Sequence, residues 1–163
     1  MIEILLNMEM DYDQLMGEAL LEAEKALKKG EIPVGAVLAG PEGEIIARGY
    51  NHPISLNDPT AHAEIIAIRE AGVLCGNYRL PGTILIVTIE PCIMCMGAAI
   101  NARVSRLVFG AYDPKAGAAG SIYNLNDDSR LNHRIEVVSG IRADECRDLI
   151  QAFFKNKRIE NKQ

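Results

Sequence analysis

Two short segments, Asp58-Pro59-Thr60-Ala61-His62-Ala63-Glu64 and Glu90-Pro91-Cys92-Ile93-Met94-Cys95, constrain this chain more than anything else in it. One imidazole and two thiolates are the donor set of a borderline-soft ion, which favours zinc over magnesium or calcium. His62, Cys92 and Cys95 therefore have to converge although two separate stretches of chain supply them. Three protein ligands leave one tetrahedral corner for water or substrate, the arrangement of a catalytic zinc site; a structural site closes that corner with a fourth side chain. Glu64 stands two residues from the histidine and is not needed as a ligand, so it is free to carry protons. Cys-x-x-Cys by itself is a weak signal, because redox sites and halves of zinc fingers contain it too. A finger would need a second ligand pair of similar spacing. After Cys95 only His133 and Cys146 remain, thirteen residues apart. The four cysteines do not read as a disulfide framework, since the chain opens without a basic leader and a reducing cytoplasm is the expected setting.

The elements around these segments alternate. Leu15, Met16, Ala19, Leu20, Ala23, Ala26 and Leu27 recur at three and four, which predicts a helix from about Asp11 to Lys29 with Gly30 as its stop. Val34 to Ala39 and Glu44 to Tyr50 read as a hairpin around Gly40-Pro41-Glu42-Gly43. A polar loop with Pro53 and Pro59 leads to a helix from about Ala61 to Ala71, capped by Thr60. Thr83 to Thr88 is a short buried strand, a helix opens at Pro91, and Arg106 to Gly110 is a further strand. Residues 111–134 lack a clear period and read mostly as loop; Ile135 to Val138 is a last strand and Ala143 to about Lys157 a last helix. This order indicates an α/β sandwich, parallel in part. Each ligand pair then falls at the start of a helix that follows a strand, and both helix starts can meet at the carboxyl end of the sheet. Cys75 and Cys146 read as small buried hydrophobes.

At 163 residues and 48% hydrophobic content the chain suits one domain, residues 1–163, with residues 1–10 as an extension that carries no nameable chemistry. No apolar run reaches the eighteen or so residues of a membrane span. The net charge of -5 runs against binding nucleic acid through a uniformly basic surface. Local basic groups remain at Arg130 and Arg134 around His133, and at Lys155, Lys157, Arg158 and Lys162 near the C-terminus.

Beyond the ligand segments, Asn51, Asn77-Tyr78-Arg79-Leu80, Phe109-Gly110-Ala111, Gly117-Ala118-Ala119-Gly120-Ser121 and Asn132-His133-Arg134 all match a family pattern. Together with His-x-Glu and Pro-Cys-x-x-Cys, the zinc nucleobase deaminase signature, they make the chain from about residue 12 to 158 resemble the bacterial tRNA-specific adenosine deaminase family of the cytidine deaminase-like superfamily. The resemblance implies a three-layer α/β/α sandwich with a mixed five-stranded sheet. It implies hydrolytic deamination of the wobble adenosine of tRNA to inosine, one Zn2+ per subunit with water or hydroxide as fourth ligand, and a homodimer. Glu64 would shuttle protons. Asn51 would bind the flipped nucleoside and Asp113 the ribose 2′-hydroxyl beside it; His133 reads as a contact to the RNA of the anticodon stem-loop, with a plain surface imidazole as the alternative. Tyr112 is a candidate stacking group, and of Phe153 and Phe154 one can serve the core and the other a surface. The run Met94, Met96, Ala98, Ala99 and Ile100 is expected to divide between core and dimer interface. The nearest rival is a guanine or cytosine-type nucleobase deaminase with the same zinc chemistry, although cytidine enzymes usually offer a cysteine where His62 stands. A non-catalytic RNA-binding subunit with a structural zinc would lack Glu64 or add a fourth ligand, and the sequence does neither.

Overall fold

The computed structural model of the chain describes residues 10–162. The expectation for residues 1–10 lies outside the described residues except at Met10, whose carbonyl accepts the N–H of Tyr12 at 3.0 Å. Helix α1 spans Tyr12–Lys28. It starts because the Asp11 side chain accepts the N–H of Gln14 at 2.9 Å, satisfying one of the otherwise orphaned amides of the first turn. It stops at Gly30, whose φ of 74° is open to glycine. Its buried face, Leu15, Met16, Ala19, Leu20, Ala23 and Ala26, is the stripe that the spacing predicts except at Leu27, which is exposed in the last turn.

Five strands follow the predicted positions to within about a residue: β1 Gly35–Ala39, β2 Ile45–Tyr50, β3 Ile84–Ile89, β4 Arg106–Ala111 and β5 Glu136–Ser139. They form one sheet in the order β2-β1-β3-β4-β5. β1 pairs antiparallel with β2 and with β3, whereas β3, β4 and β5 run parallel, with Ile86 opposite Val108 and Val87 opposite Phe109. Helices α3 (Ala63–Cys75) and α4 (Ile93–Asn101) join one face through a cluster that includes Ala67, Leu85, Val87, Met96 and Phe109. Helices α1 and α5 (Ala143–Glu160) cover the other through Met16, Val37, Ile86, Val108 and Cys146. The result is a three-layer α/β/α sandwich with a mixed sheet. Covered on both faces, β3 has Leu85, Ile86 and Val87 wholly buried, which is why it reads as a continuous apolar run without alternation.

Two local expectations change. Helix α3 begins at Ala63 with His62 as its N-cap, so Thr60 is not the cap; its N–H and hydroxyl go to the Asp58 carboxylate at 2.8 and 2.7 Å, a side-chain turn that competes with capping. The polar loop contains a short helix α2, Pro53–Leu56. Its first amides are satisfied from far away in sequence, because the buried Glu31 carboxylate accepts the N–H of Ile54 (3.2 Å) and the N–H and hydroxyl of Ser55 (2.7 and 2.9 Å). Burial pushes the Glu31 carboxyl upward, but these Ser55 and Ile54 donors outweigh it and hold the group below its ordinary value.

Gly49 sets the height of α3 over the sheet. A Cβ there would lie 2.2 Å from the Ala63 carbonyl oxygen and 2.8 Å from the Ala67 nitrogen, so only glycine lets the first turn of α3 rest on β2. Gly49→Ala is expected to cost about 1–3 kcal/mol of stability by overpacking, read as a lower urea midpoint at an unchanged m-value, and to weaken zinc retention because His62 opens that turn.

Candidate metal centre and active site

β3 ends at Ile89 and runs through Glu90 and Pro91 into Cys92, the N-cap of α4. β2 ends at Tyr50, and the chain returns through α2 to His62, the N-cap of α3. Both N-caps have extended backbone and neither side chain caps its own helix. That releases the imidazole and the thiol to face each other across the gap between the two helix mouths. His62 Nδ1 lies 3.7 Å from Cys92 Sγ and 3.5 Å from Cys95 Sγ, and the three ligand atoms fall within 4.8 Å of one another. A tetrahedral zinc with bonds of about 2.3 Å to sulfur and about 2.05 Å to nitrogen has N···S edges of about 3.6 Å. The donor set thus fits the ion in size as well as in kind, with Nδ1 as the imidazole donor. Among the described residues these three form the only such His, Cys, Asp or Glu cluster.

The protons of this pocket are already unevenly shared. The hydrogen bond from the Cys95 thiol, then burial working against it, and the bond from His62 bring the Cys92 thiol down to about 4. The same Cys92–Cys95 bond, with burial, pushes the Cys95 thiol far up, and the bond to Cys92 raises His62 above the ordinary imidazole value. A metal ion takes the place of such protons when it binds. Burial pushes the Glu64 carboxyl up to about 7. Glu64 is 3% exposed. The two-residue spacing from His62, which would place the side chains on different faces within a helix, is resolved by His62 standing outside the helix while Glu64 stands in its first turn.

Asn51 occupies the position that His62 leaves open. Its Oδ1 accepts the N–H of Ala63, the first residue of α3, at 2.9 Å, and it is 7% exposed. The oxygen is committed to that cap, so any further partner meets the Nδ2 donor. Asp113 follows the end of β4, and its Oδ1 accepts the N–H groups of Lys115 (2.9 Å) and Ala116 (3.2 Å), building a turn. Tyr112 is exposed, with its ring edge on Phe109 and its hydroxyl 2.7 Å from Ser139 Oγ. His133 stands elsewhere. Its Nε2 donates to the Val104 carbonyl at 2.6 Å, just before β4 begins, whereas the ligand helices open near the end of that strand. The neighbouring arginines are engaged, Arg130 with Asp128 at 2.6 Å and Arg134 with Asp127 at 3.7 Å.

Phe153 is buried and Phe154 exposed, so the pair divides between core and surface. On α4, Cys95, Met96, Ala99 and Ile100 are buried, while Met94 and Ala98 are half-buried. Cys146 is buried, and burial pushes its thiol up to about 11. Cys75 is exposed, contrary to expectation. It closes α3 beyond Ala71, the last buried residue of that helix, beside the exposed Val73 and Leu74; residue type suggested burial, but helix phase and length decide it. The residue that sequence reasoning left without a role is Glu90. It sits inside the ligand segment, and the only signal for it was a carboxylate directly after a strand that must be buried.

The description of a cytidine and deoxycytidylate deaminase zinc-binding region matches residues 9–111. A tRNA-specific adenosine deaminase of Haemophilus influenzae is 49% identical over 150 residues, which cover 92% of this chain and 87% of that protein. A solved chain from work on A-to-I editing by tRNA:A34 deaminases at the wobble position superposes with a TM-score of 0.80 at 44% identity, covering 83% of this chain and 98% of that one. A guanine deaminase from Nitrosomonas europaea superposes with a TM-score of 0.75 at 25% identity, covering 89% and 85%.

Proposed function

Because the chain belongs to the tRNA-specific adenosine deaminase family of the zinc-binding cytidine and deoxycytidylate deaminases, we propose that it hydrolyses the wobble adenosine of tRNA to inosine and ammonia. The observation that carries this reading is the meeting of His62 Nδ1 with both sulfurs, the buried Glu64 beside them, in a chain 49% identical to such an enzyme. One zinc ion per subunit, when held by His62, Cys92 and Cys95, supplies an activated nucleophile by lowering the pKa of a water from about 15.7 to about 7.

The chain's own groups do the rest. Glu64 takes a proton from the water that attacks C6 and delivers it to N1. The same carboxyl then passes the second water proton to the exocyclic amine, which departs as ammonia and leaves the C6 carbonyl. A carboxyl held near neutrality by burial suits both directions of transfer. Asn51, with its oxygen tied to Ala63, donates through Nδ2 to an acceptor on the nucleoside and orients the base against Glu64. Asp113 meets the ribose 2′-hydroxyl, a group that distinguishes RNA from DNA, and Tyr112 offers an exposed ring beside it. A contact by His133, through the Nδ1 left over from its bond to Val104, falls on RNA away from the target base. A base in an anticodon loop is already free of pairing, which lowers the cost of turning it into such a pocket.

The enzyme works as a two-fold homodimer in the cytoplasm. Two-fold pairing is the commonest symmetric assembly, and the exposed Val73, Leu74 and Tyr78, with Ile93 at the start of α4, provide apolar surface for it. No helix among the described residues is long and apolar enough to cross a membrane. The deciding assay incubates the zinc-loaded protein with a synthetic anticodon stem-loop carrying adenosine at the wobble position and, separately, with free guanine and free cytosine. Inosine from the stem-loop, and neither xanthine nor uracil from the free bases, is expected. Xanthine or uracil in place of inosine would move the chain to the rival reading.

A further inference from the structure

Glu90 is a carboxylate 2% exposed to solvent, and the chemistry proposed above leaves it unused. Among the described residues no lysine or arginine pairs with it. Its charge is met instead by donors from a single loop. Oε1 accepts the N–H groups of Ala119 and Ser121 at 3.1 and 2.9 Å, and Oε2 accepts the N–H of Asp113 at 3.0 Å together with the Ser121 hydroxyl. Two backbone bonds fasten the same places: Ala118 N–H to the Pro91 carbonyl, and Glu90 N–H to the Ala111 carbonyl, both at 2.8 Å. The loop wraps the carboxylate so closely that a Cβ on Gly117 would lie 2.3 Å from Glu90 Cδ and Oε2, and 2.6 Å from the Asp113 carbonyl oxygen. Two residues past Glu90 stands Cys92, at the mouth of α4.

We propose that Glu90 is a positioning residue that locks the Asp113–Ser121 loop onto the ligand-bearing start of α4, so that the part of the site gripping the nucleotide and the part holding the metal keep one spacing. The inference rests on the reading of Asp113 as a nucleotide contact. A carboxylate suits the task because it offers only acceptors, and every group the loop turns toward it is a donor. Bonds to a charged acceptor are also stronger than neutral ones. An amide cannot replace it. A glutamine can keep Ala119 and Ser121 on its oxygen and give its NH2 to the Ser121 hydroxyl, but the Asp113 N–H then faces another donor.

Glu90→Gln separates these roles. From the loss of one charge-assisted bond, amide exchange at Asp113 and the turn after it should quicken by about tenfold or more, and KM for the stem-loop should rise by about tenfold. The zinc content should stay at one per chain, and kcat should change far less than KM. Gly117→Ala pushes the loop off the carboxylate without altering Glu90, and it should reproduce both effects; it also serves if Glu90→Gln does not fold. Activity of the parent protein on the stem-loop tests the functional reading by itself, whereas amide exchange and zinc content report on the lock without catalysis. The inference is overturned if exchange in the loop is unchanged in both variants, or if zinc is lost and kcat falls as far as KM rises, since Glu90 would then only maintain the fold of the ligand segment.

Discussion

Glu64→Gln should lower kcat for inosine formation by about 10² to 10⁴, the range for one positioned proton carrier, while the protein keeps its zinc and its fold. The glutamine has the shape of the glutamate and fills the same buried site in the first turn of α3, so the packing there persists. It cannot take a proton from water or return one to the amine. Burial that pushes the Glu64 carboxyl up to about 7 disfavours its charge, and a neutral amide escapes that penalty. The thermal midpoint of the variant should therefore equal or exceed that of the parent. The checks are single-turnover kinetics on the stem-loop, zinc analysis and a melting curve. Turnover near that of the parent would end the proton-shuttle role of Glu64. Lost zinc would assign it to the metal centre instead.

Removal of the metal should have the larger effect. Lowering the pKa of a water from about 15.7 to about 7 raises its hydroxide fraction at neutral pH by roughly eight to nine powers of ten, and no side chain of the pocket replaces that. Dialysis against a chelator should abolish activity below detection, and one equivalent of zinc should restore it. The melting temperature should fall on chelation, because an ion that binds only the folded chain stabilises it by mass action. Cys92→Ala should resemble the chelated protein and should not be rescued by added zinc. Activity surviving in protein proved free of zinc would contradict the ligand assignment of His62, Cys92 and Cys95.

Much of this was legible in the chain. The donors were identifiable because imidazole and thiolates in that spacing admit few ions, and the placement of both ligand segments at helix starts followed from strands and helices in alternation. Other features were out of reach. Thr60 looked like the cap of α3, yet Asp58 claims it and Asn51 serves Ala63 across twelve positions of sequence. The loop after β4 showed no period, and its order comes from Glu90, 23 to 31 positions away from its partners. Helix α2 depends in the same way on Glu31.

By itself, then, the sequence determined the elements, the candidate ligand set and the carboxylate placed beside it, because hydrophobic period and donor chemistry are properties of neighbouring residues. Only the tertiary structure decided which imidazole nitrogen faces the sulfurs, which atom of Asn51 stays free, that Cys75 lies outside the core, and what binds the Asp113–Ser121 loop. Those depend on hydrogen-bond partners and faces brought together by packing, and a buried polar group accepts whichever complementary partner the fold delivers, however distant along the chain.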